Sequence, residues 1–157
     1  MKYIDYYTSP IGDLYLISDG EYLTELSFKN IKENSISLKQ EHLKIFEKTK
    51  MWLDIYFKGE NPFFIPEIKP EGTKFQLQVW EILNTIKYGQ TMTYGEIAKK
   101  FSNKMSSQAI GAAVSKNRIP IIIPCHRVLG KNSKLTGYFG GLWRKAKLLD
   151  IEGINYK

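Results

Sequence analysis

Residues Gly59 to Gly72 hold three prolines and two glycines, and no helix or strand can run through such a stretch. Proline lacks the N–H that a helix interior or a central strand requires, and glycine adds backbone freedom. The segment reads as a linker in extended conformation, so the chain on either side must form separate bodies. The boundary is placed at 69/70, giving an N-terminal domain over residues 1–69 and a C-terminal domain over residues 70–157. A chain of 157 residues can hold two small domains. Charge divides at the same point, with a net −2 in residues 1–69 and +9 in residues 70–157. A basic half beside a mildly acidic half points to a polyanionic partner for the second half. Charge alone would fit a well-solvated surface equally well.

Hydrophobic residues make up 43% of the chain, which supports a packed core and excludes global disorder. No apolar run approaches the length of a membrane span. Met1-Lys2-Tyr3-Ile4-Asp5 lacks the charged-then-apolar pattern of a signal peptide. One cysteine allows no intrachain disulfide, and the expected compartment is the cytoplasm.

The N-terminal domain opens with three short segments rich in Tyr, Ile, Leu and Phe: Lys2–Thr8, Asp13–Ser18 and Tyr22–Phe28. Ser9-Pro10-Ile11-Gly12 and Asp19-Gly20 separate them, and Asp-Gly is a strong hairpin signal. They predict a three-stranded antiparallel meander. A polar stretch, Lys29–Ser37, follows. Leu38–Phe57 then carries Leu43, Phe46, Met51, Leu53, Ile55 and Tyr56 near helical spacing, predicting one helix on the sheet. His42 is expected at the surface of that helix. None of this half carries recognisable chemistry.

The C-terminal domain opens on Thr73-Lys74-Phe75-Gln76, a capping box. Phe75, Val79, Ile82, Leu83 and Ile86 form an apolar stripe, and Tyr88-Gly89-Gln90 is expected to end that helix. Thr93-Tyr94-Gly95-Glu96 is a second capping box, opening a short helix with Ile97, Ala98 and Phe101 inward. Ser106 or Ser107 caps another, running to about Lys116. Two short helices joined by a tight polar turn predict a helix-turn-helix. The second of them, Gln108-Ala109-Ile110-Gly111-Ala112-Ala113-Val114-Ser115, is mostly small. It offers few of the side chains that read a major groove. Its small face suits close approach to a widened minor groove, or equally tight helix packing.

Ile119 to Val128 carries the chemistry. Ile121–Ile123 is β-branched throughout and bounded by Pro120 and Pro124, which predicts a fully buried strand stopped at Pro124. Cys125 follows, with His126 and Arg127 next to it. Cations beside a thiol lower its pKa, and the thiolate is the nucleophile. A lone cysteine is more often a small buried hydrophobe, but the Pro-Cys-His-Arg context argues for a reactive one.

These residues resemble the O6-alkylguanine-DNA alkyltransferases. The resemblance covers Gly72 to Gly153. It is strongest in Ile123-Pro124-Cys125-His126-Arg127-Val128, with support from Phe75–Trp80, Gly89–Tyr94, Asn117 and Leu135–Gly141. It implies an α/β (α+β) fold: a small ribonuclease-H-like N-terminal sheet domain and a mainly helical, winged-helix-like C-terminal domain. It further implies that Cys125 takes the alkyl group from guanine O6 and becomes a thioether, once per molecule. His126 would act as general base through a water. Glu152 would hold the other imidazole nitrogen and favour its charged form. Asn117 would tie the recognition helix to the active-site strand, and Tyr94 would press the target phosphate and protonate the departing base. Val114, Pro120, Trp80 and Tyr138 would wall the pocket. The carbonyls of Cys125 and Val128 would read the guanine amino group, and a backbone N–H near Phe139 would meet O6. Arg127 and Ser115 are counted with the DNA-contacting residues.

Two positions depart from the family pattern. Gln108 stands where relatives often carry the arginine that fills the vacated stack. Phe139 stands where they more often carry a small residue, which implies a bulkier pocket lid. The implied partner is double-stranded DNA bearing O6-alkylguanine, with O4-methylthymine open as a second substrate, and the implied state is a monomer. No cofactor is implied. Cys125, His126 and His42 are the only Cys or His residues and cannot make a tetrahedral metal set. A non-enzymatic, DNA-binding regulator with the same helix-turn-helix is the alternative, and Cys125 argues against it.

Overall fold

The computed structural model describes residues 2–30, 38–40 and 42–157. The chain divides into two compact units, Met1–Glu71 and Gly72–Lys157.

The first unit is a mixed sheet with one helix. Strands β1 (Lys2–Ser9), β2 (Gly12–Ser18) and β3 (Leu23–Ser27) form the expected antiparallel meander. Pro10-Ile11 make the first turn, where Gly12 takes φ +104, a value that side chains resist. At the second turn the Asp19 carboxylate accepts from the N–H groups of Glu21 (2.9 Å) and Tyr22 (2.8 Å), an Asx turn. Helix α1 (Lys44–Phe57) packs against all three strands. Its buried face is Ile45, Phe46, Thr49, Trp52, Leu53 and Tyr56, a regular helical stripe.

Two expectations fail here. The helix predicted over Leu38–Phe57 begins only at Lys44, and Leu38–Gln40 form a fourth strand, β4, parallel to β1. The sheet order is β3-β2-β1-β4, four strands rather than three. Pairing with a neighbouring strand overrides local preference for three residues, as tertiary context often does. Met51, part of the apolar spacing, is 55% exposed, whereas Thr49 is buried, its hydroxyl satisfied by the Ile45 carbonyl (2.7 Å). His42 is exposed and precedes the helix. Of the expected polar stretch, the part beyond Asn30 lies outside the described residues.

The second unit is helical. Helix α2 (Lys74–Leu83) starts at the predicted capping box, with both reciprocal bonds formed between Thr73 and Gln76. It stops at Leu83, before Tyr88-Gly89. Strand β5 (Met92–Thr93) leads into α3 (Tyr94–Lys99), whose Thr93–Glu96 capping box is also complete. Helix α4 (Ser107–Ser115) is capped by the Ser106 hydroxyl. Helices α3 and α4 pack together, as do α2 and α4. Strand β6 (Val128–Leu129) pairs parallel with β5, Met92 beside Val128, and α5 (Leu142–Ile151) closes the unit.

Ile121–Ile123 is buried as expected, but it is not a strand. Ile121 takes φ +74, in the left-handed region that β-branched residues rarely enter. The Ile123 N–H bonds back to the Ile119 carbonyl (3.0 Å), so the run folds on itself in a tight turn.

Removing the α2 cap tests the local energetics. Thr73→Ala should lower stability by about 1 kcal/mol in urea unfolding, and the pattern of Cys125 reactivity should survive.

Candidate active site

Asn117 organises the turn that presents the thiol. It is buried, its Nδ2 donates to the Ile123 carbonyl (2.9 Å), and its Oδ1 accepts from the Ile119 N–H (3.0 Å). One carboxamide thus clamps both arms of the loop between α4 and Cys125. Pro124, at φ −81 and ψ 64, centres an inverse γ-turn, closed by the Cys125 N–H on the Ile123 carbonyl (2.7 Å). A single 3-10 turn, Cys125–Arg127, follows. The β5–β6 pairing then brings the start of α3, and with it Tyr94, beside this turn.

Cys125 is 2% exposed and forms part of the wall of an open cavity of about 340 Å³. Tyr94, Gly111, Val114, Ser115, Thr136, Gly137, Tyr138 and Phe139 complete the lining. The volume falls within the usual range of small-ligand pockets, about 300–1,000 Å³. Helix α4 supplies one wall through Gly111, Val114 and Ser115, where its small side chains leave the space open. Phe139 lies at the mouth, 46% exposed, its ring 5.1 Å from that of Tyr138.

Behind the thiol runs a buried chain of charge. His126 Nε2 lies 2.5 Å from Glu152 Oε2, Arg127 Nε donates to Glu152 Oε1 (2.8 Å), and the Gly89 N–H donates to the same oxygen (2.9 Å). Arg127 Nη1 also donates to the Ile86 carbonyl (2.6 Å). Burial would raise the Glu152 pKa, but its bond to His126 and the nearby positive charge outweigh that and hold it at about 2. With Glu152 ionised, the Nε2 proton points to it, and Nδ1 is the basic nitrogen.

Several expectations change. The thiol is not acidified at rest: burial pushes it up to about 11, although Asn117, Lys145 and Tyr138 each act to lower it. The imidazole is likewise kept neutral, because burial lowers its pKa more than Glu152 raises it. Arg127 is 8% exposed and binds Glu152, so its guanidinium belongs to the charge chain. The side chain of Val128 is fully buried, which leaves the expectation for its backbone carbonyl unchanged. Trp80 and Pro120 are buried and do not line the cavity; Trp80 instead donates from Nε1 to the Ala113 carbonyl (2.9 Å), pinning α4 from behind. Gln108 is exposed in the first turn of α4. Thr136 and Lys145 were not anticipated. Lys145 is buried with Leu148 and Leu149, and a lysine on the apolar stripe was the available signal. No group of three or more His, Cys, Asp or Glu among the described residues could hold a metal ion. Among the same residues no helix is long and apolar enough to cross a membrane.

Fold and site together set a buried cysteine, backed by a His–Glu–Arg chain, under the second helix of a helix-turn-helix. Residues 74–154 match the family model for the 6-O-methylguanine DNA methyltransferase DNA-binding domain, and residues 2–66 match that for its ribonuclease-like domain. A methylated-DNA–protein-cysteine methyltransferase of Haemophilus influenzae is 46% identical, over 98% of this chain and 88% of the relative. Its counterpart in Methanosarcina acetivorans is 44% identical, over 96% and 98%. The crystal structure of Mycobacterium tuberculosis OGT in complex with DNA superposes with a TM-score of 0.86 at 40% identity, covering 96% of this chain and 92% of that one. The chain belongs to the 6-O-methylguanine DNA methyltransferase family.

The charge chain predicts acid sensitivity. The Glu152 pKa lies below its ordinary 4.5, so its contribution is full above that value and is lost as the pH falls toward 2. The His126 pKa is depressed from 6.5, so below 6.5 the unfolded chain binds a proton that the folded one resists. Unfolding free energy measured from about pH 7 to about pH 3 should begin to fall near 6.5 and steepen below 4.5. Glu152→Gln should shrink the steeper step.

Proposed function

We propose that the protein repairs DNA by moving an alkyl group from guanine O6 to Sγ of Cys125, irreversibly and once per molecule. The observation that carries this reading is the thiol set in the wall of an open cavity with a His–Glu–Arg chain behind it. The partner is double-stranded DNA bearing O6-alkylguanine, in line with the DNA-bound relative. Exposed Lys99, Lys100, Lys104, Lys116 and Arg118 supply phosphate contacts. A base inside the duplex cannot reach a buried sulfur, so the guanine must leave the stack, at a cost of a few kcal/mol.

The chemistry follows from the resting states. The thiol proton passes to His126 Nδ1 through a water, and Glu152 stabilises the imidazolium as it forms. The thiolate attacks the alkyl carbon in line. The S–C bond forms, the C–O6 bond breaks, and its electron pair stays on O6. Tyr94 gives the departing base a proton and is replenished from the imidazolium through solvent. The balance is thiol plus O6-alkylguanine giving thioether plus guanine. A thioether has no good leaving group at neutral pH, so the molecule is consumed, and no cofactor enters. The single free thiol fits a monomer working in the cytoplasm, where thiols stay reduced.

Mass spectrometry after mixing with an O6-methylguanine duplex should show one added methyl group on Cys125, equal in amount to the protein and no more. No mass change, or turnover beyond one equivalent, would overturn the reading. Gln108 lies outside the cavity lining, so Gln108→Ala should slow repair of duplex DNA far more than reaction with free O6-alkylguanine. Equal slowing on both substrates would remove Gln108 from base displacement.

A further inference from the structure

The lip of the cavity carries exposed apolar surface that the reaction above does not employ. Phe139, Leu142 and Trp143 are 46%, 47% and 56% exposed. Single exposed apolar side chains are ordinary, but a run of them marks a contact surface. Tyr138 and Phe139 line the cavity, and the Gly141 N–H donates to the Tyr138 carbonyl (2.9 Å). The chain therefore turns straight from the cavity wall into the first turn of α5, and the run continues the rim of the opening.

Trp143 is held in place. The Arg144 guanidinium lies over its ring, 4.4 Å from the centroid, and Arg144 Nη1 donates to the Gly140 carbonyl (2.9 Å). Gly141, at φ +92, leaves room for the indole edge, since a Cβ there would come within 3.2 Å of Trp143 Cδ1. One face and one edge of the indole are thus occupied, and its exposed area falls on the rest of the ring. A ring fixed in this way loses little freedom when a flat partner covers it. The charge beside it is positive. Arg144 stacks on the ring, and exposed Lys147 lies one turn further along the same side of α5. Flat apolar faces joined by negative charge match both features, and a nucleic acid strand supplies them.

We infer that Trp143, braced by Arg144, stacks on a base of the duplex next to the guanine that enters the cavity. This contact rests on the repair reading and adds to it a specificity-determining residue outside the pocket. When the guanine leaves the stack its neighbours lose a stacking partner, and the indole replaces that partner for one of them. The contact thereby favours the extruded state.

Trp143→Ala and Trp143→Tyr, which keeps an aromatic face, are compared in the full-length protein. Methyl transfer is followed from an O6-methylguanine duplex and from free O6-methylguanine, which has no neighbouring base. Trp143→Ala should weaken duplex binding and slow transfer from the duplex about tenfold, the scale of one base–aromatic stack. Trp143→Tyr should recover most of that loss, and reaction with the free base should fall far less. Trp52 and Trp80 are buried, so acrylamide quenching of indole fluorescence reports chiefly on Trp143, and adding duplex should reduce it. Equal slowing on the two substrates would overturn the inference, as would quenching that duplex leaves unchanged. Self-association of the DNA-free protein that Trp143→Ala abolishes would also overturn it, by assigning the rim to a second copy of the chain. The unsubstituted protein separates the two readings. No methyl transfer, with the indole still protected by duplex, would sink the repair reading, whereas normal transfer with an unprotected indole would sink only the stacking contact.

Discussion

The Glu152 carboxylate is the point on which the site depends. It is buried, and its oxygens are met by three donors from two separate segments: His126 and Arg127 from the 3-10 turn, and Gly89 from the turn before β5. A buried charge is tolerated only when paired and hydrogen-bonded, and here the partners are also the parts to be aligned. Removing one partner of such a pair typically costs about 3–5 kcal/mol, because the other is left as an uncompensated buried charge. The same bonds fix the imidazole orientation and determine which nitrogen is basic. Stability and chemistry are therefore tied to one carboxylate, which α5 delivers from the end of the chain.

The resting site is electrically quiet. Thiol and imidazole are both neutral, although the sequence places two cationic residue types next to the sulfur. Arg127 faces the carboxylate, and burial dominates the rest. A neutral thiol in a partly dry cavity is protected from adventitious oxidation, which follows thiolate character and exposure. Low intrinsic reactivity suits a protein that is consumed by a single event.

What was legible in the sequence was local or bonded at short range. Both capping boxes lie within four residues and formed as read. Asn117 bridges to Ile119 and Ile123, close by in the chain, and the Pro-Cys-His-Arg run names its own neighbours. What was not legible came from distant partners. β4 exists because β1 lies beside it. Ile121–Ile123 has the composition of a strand, but the Asn117 clamp and Pro124 bend it into a turn. Trp80 reads as a pocket wall until its indole is found on the Ala113 carbonyl. Arg127 reads as a DNA contact until Glu152, 25 residues on, is seen to claim it. Lys145 is hidden by the assumption that a lysine in an amphipathic helix faces water.

Two-residue strands β5 and β6 explain how so small a unit assembles this arrangement. Their pairing joins the start of α3 to the end of the 3-10 turn. Tyr94 heads the first helix of the helix-turn-helix, and Cys125 heads the 3-10 turn, so both groups are set by one short ladder. Helix α4, the second helix of that motif, is held on two sides: Trp80 bonds its last turn from within, and Asn117, two residues past its end, clamps the loop to Cys125. A shift of α4 would strain the Asn117 clamp on the loop that carries Cys125. Helix α4, the Tyr94 turn and the Cys125 turn are thus parts of one rigid construction, and the shortness of the links between them is what holds a loop cysteine in a fixed place.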